Sequence, residues 1–261
     1  MGINEGPYDF VSSLGGSCIA ALQLRKRELR QCSLPFDWLF HVDDSLFPAL
    51  TKCFQENYCN WLKRENMQEL KGDERGTSPY YQYKDLYTGF RFIHDFHKPI
   101  EDNTEFVKVK KRYAKRIKRL YEKIEKSTRI ALILNSRWSV RLVLIETFHS
   151  MLVAKWPGKE FDIFIISFSQ ERNETKTIED YCIVSNYKRA ENSYDYFQTN
   201  YEWEFLDKIS LKHNNGPIKR FIDFKCIRHG LHMYFLKEKR NILGLRIRIF
   251  GCEFDFSIGK Y

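Results

Sequence analysis

The sequence predicts an α/β protein: a mixed or mainly parallel sheet with flanking helices and a nucleophile-type cysteine at a helix N-terminus. Three observations carry this expectation. Residues 129–134 (RIALIL) and 161–168 (FDIFIISF) are apolar runs of strand length, and residues 139–155 between them repeat with a helical period. A helix between two strands of this kind implies a parallel pair joined by a right-handed crossover. Residues 8–14 (YDFVSSL) form a third apolar run, ending in Gly15-Gly16 and followed by Ser17, a good N-capping residue.

The other elements follow in order. The helix after Ser17 carries Ile19, Ala20, Leu22 and Leu24 and is expected to end near Arg30. Residues 33–38 (SLPFDW) read as a rigid aromatic turn. Asp43, Asp44 and Ser45 open a second helix that points Leu46, Phe47, Leu50, Cys53 and Phe54 inward, and residues 71–79 read as a polar loop. Residues 90–96 (FRFIHDF) alternate, with Phe90, Phe92, His94 and Phe96 on one face and Arg91, Ile93 and Asp95 on the other. Residues 102–104 cap a long basic helix, 181–185 form a further strand and 194–209 a further helix. Past residues 213–217 (HNNGP) the pattern changes to short alternating basic and apolar runs. The organisation expected is a domain over 1–185 and a C-terminal extension over 186–261.

Composition narrows the classes. Apolar residues make up 43% of the chain and charged residues 30%, a globular balance that excludes disorder. No run approaches the ~20 apolar residues of a membrane span. No lysine or arginine precedes Arg25, so no signal peptide is expected, and seven cysteines form no framework spacing. A reducing, cytoplasmic setting follows as an expectation. The net charge of +9 is uneven: residues 108–126 and 212–248 each carry +8, leaving −7 on the rest. In 108–126, Val109, Tyr113, Ile117, Leu120, Tyr121 and Ile124 keep helical spacing, so the charges read as a solvated face, with polyanion contact as the functional alternative.

The chemistry centres on Gly15-Gly16-Ser17-Cys18. A cysteine in the first turn of a helix sits in the positive field of the unpaired N–H groups, which favours the thiolate and can receive an oxyanion. A small buried cysteine at a tight junction is the bland alternative. The motif is not a P-loop, since Ser17-Cys18 stand where Lys-Ser/Thr is needed, and not a dinucleotide fingerprint, since Ala20 and Ala21 occupy the place of a third glycine. Among seven histidines His94 is the best placed base, within an aromatic strand, with His41 and His97 as alternatives. Alternation points Asp95 away from His94, and Asp37, Asn135 and Asp162 remain open as third members. Cys53/Cys59 and His94/His97 are not standard zinc pairs, so neither metal nor cofactor is expected.

The ordered set Ser12-Ser-Leu-Gly-Gly-Ser-Cys18, Leu34-Pro-Phe-Asp-Trp38 and Phe92-Ile-His-Asp-Phe96 resembles the family named putative papain-like cysteine peptidases of bacteria, over about residues 8–170. The resemblance implies Cys18 as nucleophile, His94 as general base, and Asp95 and Asp37 as members of the family's motifs. Cysteine before histidine is the papain order. Papain-like folds place the base in an antiparallel sheet, whereas the βαβ pattern here calls for a parallel one. The run 241–251 (NILGLRIRIFG) resembles tails of bacterial surface-polysaccharide enzymes, which implies a role in polysaccharide assembly. Three classes stay open: a thiol hydrolase or acyltransferase acting on a peptide or an acyl or sugar conjugate, a catalytically silent binding module, and a polyanion binder.

Overall fold

The computed structural model describes residues 7–41, 43–72, 79–136, 140–169, 174–188, 201–212, 219–226, 231–238, 241–249 and 252–257. The chain divides into two compact units, Met1–His213 and Asn214–Tyr261. The first holds two sheets. A five-stranded sheet runs in the order β1 (Phe10–Ser13), β6 (Arg129–Ser136), β7 (Glu160–Ser169), β9 (Cys182–Lys188), β8 (Glu174–Ile178). Its first four strands are parallel, and β8 returns antiparallel at the edge. The fold is therefore α/β with a mixed, mainly parallel sheet, as the crossover pattern implies.

Period-two alternation sorts the central strands between two cores. Ile130, Leu132 and Leu134 of β6 and Ile163 and Ile165 of β7 face a large core, shared with helices α2 (Leu46–Gln55), α3 (Asn103–Glu125) and α4 (Leu142–Lys155). Ala131 and Ile133 with Phe164 and Ile166 face the opposite side. There α1 (Cys18–Lys26) and the 3-10 segment Tyr201–Lys208 pack, through Ile19, Ala20, Leu24, Trp203 and Leu206. The segment 201–212, grouped from sequence with the C-terminal extension, thus packs with the first unit, and Tyr8 bridges Leu211. The helix expected over 194–209 is seen only as this 3-10 segment; residues 194–200 lie outside the described residues, as do 73–78 of the expected polar loop.

The second sheet is antiparallel, in the order β2 (Leu39–Phe40), β5 (Arg91–Phe96), β4 (Tyr81–Asp85), β3 (Met67–Glu69). Only β5 was legible from its apolar alternation; β3 is short and mostly polar, and β4 mixes polar and aromatic residues. Its core side is aromatic, with Phe36 stacked on Trp61 at 5.7 Å and packed with Phe90 at 5.4 Å. Burying each such ring contributes about 1.5–3 kcal/mol. The expected alternation of β5 does not hold throughout. Tyr83 pairs with Phe92, but Tyr81 pairs with Phe96, so β5 bulges over 93–95. Phe92 and Phe96 stay buried, His94 turns out to solvent and Asp95 turns inward.

Helix α3 has the expected Asp102 cap, whose carboxylate accepts from Glu105 N at 3.0 Å, and buries Phe106, Val109, Tyr113, Leu120 and Ile124. Its charges are not all solvated. Asp95 accepts from Arg112 at 2.9 Å and from the Tyr113 hydroxyl at 2.8 Å, and the buried Arg116 lies at 3.9 Å. This cluster ties β5 to α3. The second unit is an antiparallel meander, β10 (Lys219–Cys226), β11 (Leu231–Glu238), β12 (Asn241–Ile249) and β13 (Cys252–Ser257). Among the described residues no helix is long and apolar enough to cross a membrane.

Removing Asp95 would leave buried guanidinium charge without its carboxylate. Asp95→Ala is expected to cost about 3–5 kcal/mol, read as a lower urea midpoint. Neutralising the exposed Lys110, Lys111, Lys115 and Lys118 together is expected to cost less than about 1 kcal/mol. Equal losses would show that Asp95 is not the clamp.

Candidate functional site

The site grows from the turn between β1 and α1, at the C-terminal edge of the parallel sheet, where open α/β sheets place their ligands. Leu14 N continues the ladder to Ile133 O at 2.8 Å, and Asn135 N reaches Gly15 O at 3.4 Å. Gly15 and Gly16 both have φ of +86°, the left-handed region. A Cβ on Gly16 would stand 1.7 Å from Asn135 O, and one on Gly15 would stand 3.0 Å from Phe36 O. The turn is pressed between β6 and the Pro35-Phe36-Asp37-Trp38 segment, and His41 N adds a third hold by donating to Gly16 O at 3.3 Å.

Ser17 follows in extended conformation and caps α1, its Oγ accepting from Ile19 N at 3.3 Å. The same oxygen accepts from Asn135 Nδ2 at 2.8 Å. Asn135 Oδ1 is buried and has no hydrogen-bond partner among the described residues. Cys18 is therefore the first residue of α1, half-buried, on a turn whose backbone is fixed by β6. A helix start of this kind stabilises a thiolate and presents N–H groups to developing negative charge.

His94 lies on the other sheet. It is exposed and meets Phe40 edge-on at 6.3 Å and Tyr80 at 6.2 Å. The strand β2 relates it to the turn: Phe40 contacts His94, and the next residue, His41, holds Gly16. His41 is buried. Its Nε2 lies 3.3 Å from Thr88 O, and its Nδ1 lies 3.4 Å from Asp43 Oδ1. Burial holds its imidazole below the ordinary histidine range, against the opposing charge of Asp43. His97 packs edge-on against Tyr80 at 4.8 Å.

The motif carboxylates are committed elsewhere. Asp95 points to α3 and does not orient His94. Asp37 is fully buried, and its Oδ2 accepts from Arg30 Nε at 2.9 Å, Arg30 Nη2 at 2.7 Å and Leu34 N at 2.9 Å. Burial pushes its carboxyl upward, opposed by Arg30 and the Leu34 N–H. Asp37 thus locks the aromatic turn against Gly15. A buried carboxylate demands a cation, and that demand was the one sequence signal for Arg30. Asp162 accepts from Tyr8 at 2.6 Å and Arg129 at 2.8 Å. It pairs with Ala131, four residues before Asn135 on β6, about 13 Å along the strand. Asn135 is the open candidate that the fold brings to the Cys18 turn.

The other thiols differ in setting. Burial pushes the Cys182 thiol up to about 12, pushes that of Cys53 further still and raises that of Cys32, whereas Cys59 is exposed. Among the described residues no three His, Cys, Asp or Glu side chains gather as a metal site.

Two expectations follow. Gly16→Ala must adopt a strained φ and displace β6, and is expected to lose about 4 kcal/mol or to fail to fold, with urea denaturation as the measure. The depressed His41 makes the unfolded chain bind its proton first on acidification. It therefore contributes stability above the ordinary histidine value of about 6.5 that is lost as the pH falls below it. His41→Gln is expected to flatten the acid limb of stability against pH, leaving the smaller slope from His149, which burial also depresses.

The family model "Putative papain-like cysteine peptidase (DUF1796)" matches residues 9–171, from β1 through Cys18, the antiparallel sheet, α3 and the βαβ unit to the end of β7. No curated protein matches the chain, and no solved structure does. With more than half its length matched, and with a cysteine-led helix on one sheet and the motif histidine on a second, the chain belongs to the family of putative papain-like cysteine peptidases.

Proposed function

We propose that the chain is a cysteine hydrolase in which Cys18 is the nucleophile and His94 the general base. The observation that carries this reading is the turn itself. Two left-handed glycines press against β6, and a buried serine cap accepts from Asn135, so that Cys18 opens α1. A tight junction for a merely structural cysteine does not need its cap fastened to the neighbouring strand.

In this mechanism Cys18 Sγ attacks a carbonyl carbon as its proton passes to His94. The tetrahedral oxygen is held by N–H groups at the start of α1. Collapse breaks the bond to the leaving group, which takes the proton from His94, and leaves a thioester on Cys18. Water, deprotonated by the same imidazole, releases the acid and restores the thiol. Asn135 Oδ1, a buried acceptor on the next strand, serves as the third member by receiving an N–H of the imidazole or of the substrate. Asp37 and Asp95 act as positioning residues, one holding the aromatic turn and the other the strand that bears His94. Residues 9–185 carry this chemistry, and 214–261 are an accessory unit.

Labelling in a Cys59→Ser background tests the nucleophile. Iodoacetamide at pH 6 is expected to modify Cys18 first, because an activated thiolate persists where an ordinary thiol near 8.5 is mostly protonated. Preferential modification of Cys32, Cys53 or Cys182 would refute it. With an activated ester as probe, Cys18→Ala is expected to abolish turnover and His94→Ala to lower it by about 10²–10⁴. Full turnover in His94→Ala, with loss in His41→Ala, would move the base to His41.

A further inference from the structure

A cleft of about 580 Å³ opens between α2, the turn that joins β4 to β5, and α4. Its size falls within the range of small-molecule sites. Pro48, Leu86 and Leu144 supply apolar wall, with Leu86 58% exposed.

Two ammonium groups line the same space. Lys84 is half-buried and makes neither ion pair nor hydrogen bond with the described residues. Lys52 is also half-buried. It donates to Tyr87 O at 3.3 Å and stands 3.8 Å from the Tyr87 ring centroid, with no carboxylate in ion-pair contact among the described residues, though Glu56 and Asp85 lie within reach of its charge. Half-buried lysines elsewhere on this unit are held by neutral oxygens, as Lys155 is by Phe54 O at 2.8 Å and Asn57 Oδ1 at 2.6 Å, whereas the Lys84 ammonium has no such hold among the described residues. The one acidic residue on the lining, Asp43, accepts from Ser45 at 2.5 Å, and against burial the Ser45 hydrogen bonds and the neighbouring His41 and Lys84 hold its carboxyl below the ordinary range. Helix α2 begins at this cleft, and α4 enters it with Leu144; neither has a side-chain cap, so their N-terminal turns add positive field. The back of the cleft touches the buried His41. Ser45 and Thr88 both contact its imidazole, and a Cβ on Gly89 would lie 2.9 Å from Nε2. His41 Nδ1 is a buried nitrogen that faces Asp43 Oδ1 at 3.4 Å.

We propose that this cleft binds a ligand with an apolar body and an anionic head, a carboxylate or a phosphate. The body lies on Pro48, Leu86 and Leu144, and the head between Lys52 and Lys84. A half-buried lysine with no carboxylate in ion-pair contact is a cation held partly out of water, and an anion brought to it gains a charge-assisted hydrogen bond. The inference rests on the cleft's own lining and does not require Cys18 to act.

Calorimetry on the full chain tests it with octanoate, octyl phosphate and octyltrimethylammonium. At least one of the anions is expected to bind about tenfold or more tighter than the cation, and the tighter of the two names the head. The Lys52→Met/Lys84→Met double variant is expected to lose about tenfold or more, Leu86→Ser to weaken both anions, and Lys52→Arg/Lys84→Arg to retain them. Cys18→Ala is expected to bind as the unmodified chain does, which separates this site from the proposed catalysis. Binding of the cation as tightly as the anions would overturn the proposal, as would no binding of either anion. So would undiminished anion binding by a double variant that melts like the parent chain.

Discussion

The approach of Gly16 to the Asn135 carbonyl sets the rest of the first unit. Nothing larger than hydrogen fits there, since a Cβ would stand 1.7 Å from that oxygen. Because it fits, β1 can end against β6, turn through two left-handed residues and enter α1 within one residue of extended chain. Ser17 then falls where its hydroxyl serves both the helix and Asn135, and Cys18 falls at the first helical position. The same carbonyl of Gly16 receives His41 N, which fastens the end of β2 and with it the antiparallel sheet.

Two sheets of different kind therefore meet at one turn. The parallel sheet carries Cys18 at its C-terminal edge, and the antiparallel sheet carries His94 on a bulged strand. The apparent conflict between a βαβ pattern and a papain-like order of cysteine and histidine disappears, because each motif belongs to its own sheet. Buried ion pairs keep the second sheet in place. Asp95 draws β5 onto α3 through Arg112, Tyr113 and Arg116, and Asp37 draws the Pro35–Trp38 turn onto Arg30. Such pairs contribute little over an apolar substitute, yet breaking one is costly, about 3–5 kcal/mol. They specify arrangement more than they add stability.

Much of the architecture was legible in the residues alone. Hydrophobic period decides element type, so β1, β5, β6, β7, the helices and the parallel crossover could be read from apolar spacing. Capping chemistry is equally local, and Ser17 and Asp102 cap as their side chains imply. Cys18 at a helix start needed only a strand, two glycines and a capping serine in succession. Strands β3 and β4 were hidden because Met67–Glu69 is short and mostly polar and Tyr81–Asp85 mixes polar and aromatic residues, and their pairing is non-local.

Local pattern could not decide where charges find partners or how a strand bends. The bulge over 93–95 reverses the facing of His94 and Asp95, and it exists because Asp95 has arginines on α3 to meet, some twenty residues away in sequence. Arg30 for Asp37, Asn135 for Ser17 and the two lysines lining one cleft are likewise facts of assembly. The sequence by itself determined which segments become strands and helices and that Cys18 begins one, since those follow from the spacing and capping of neighbouring residues. The tertiary structure alone decided which side chains share a site, because electrostatic and packing partners come from elements whose separation along the chain carries no information about their distance in space.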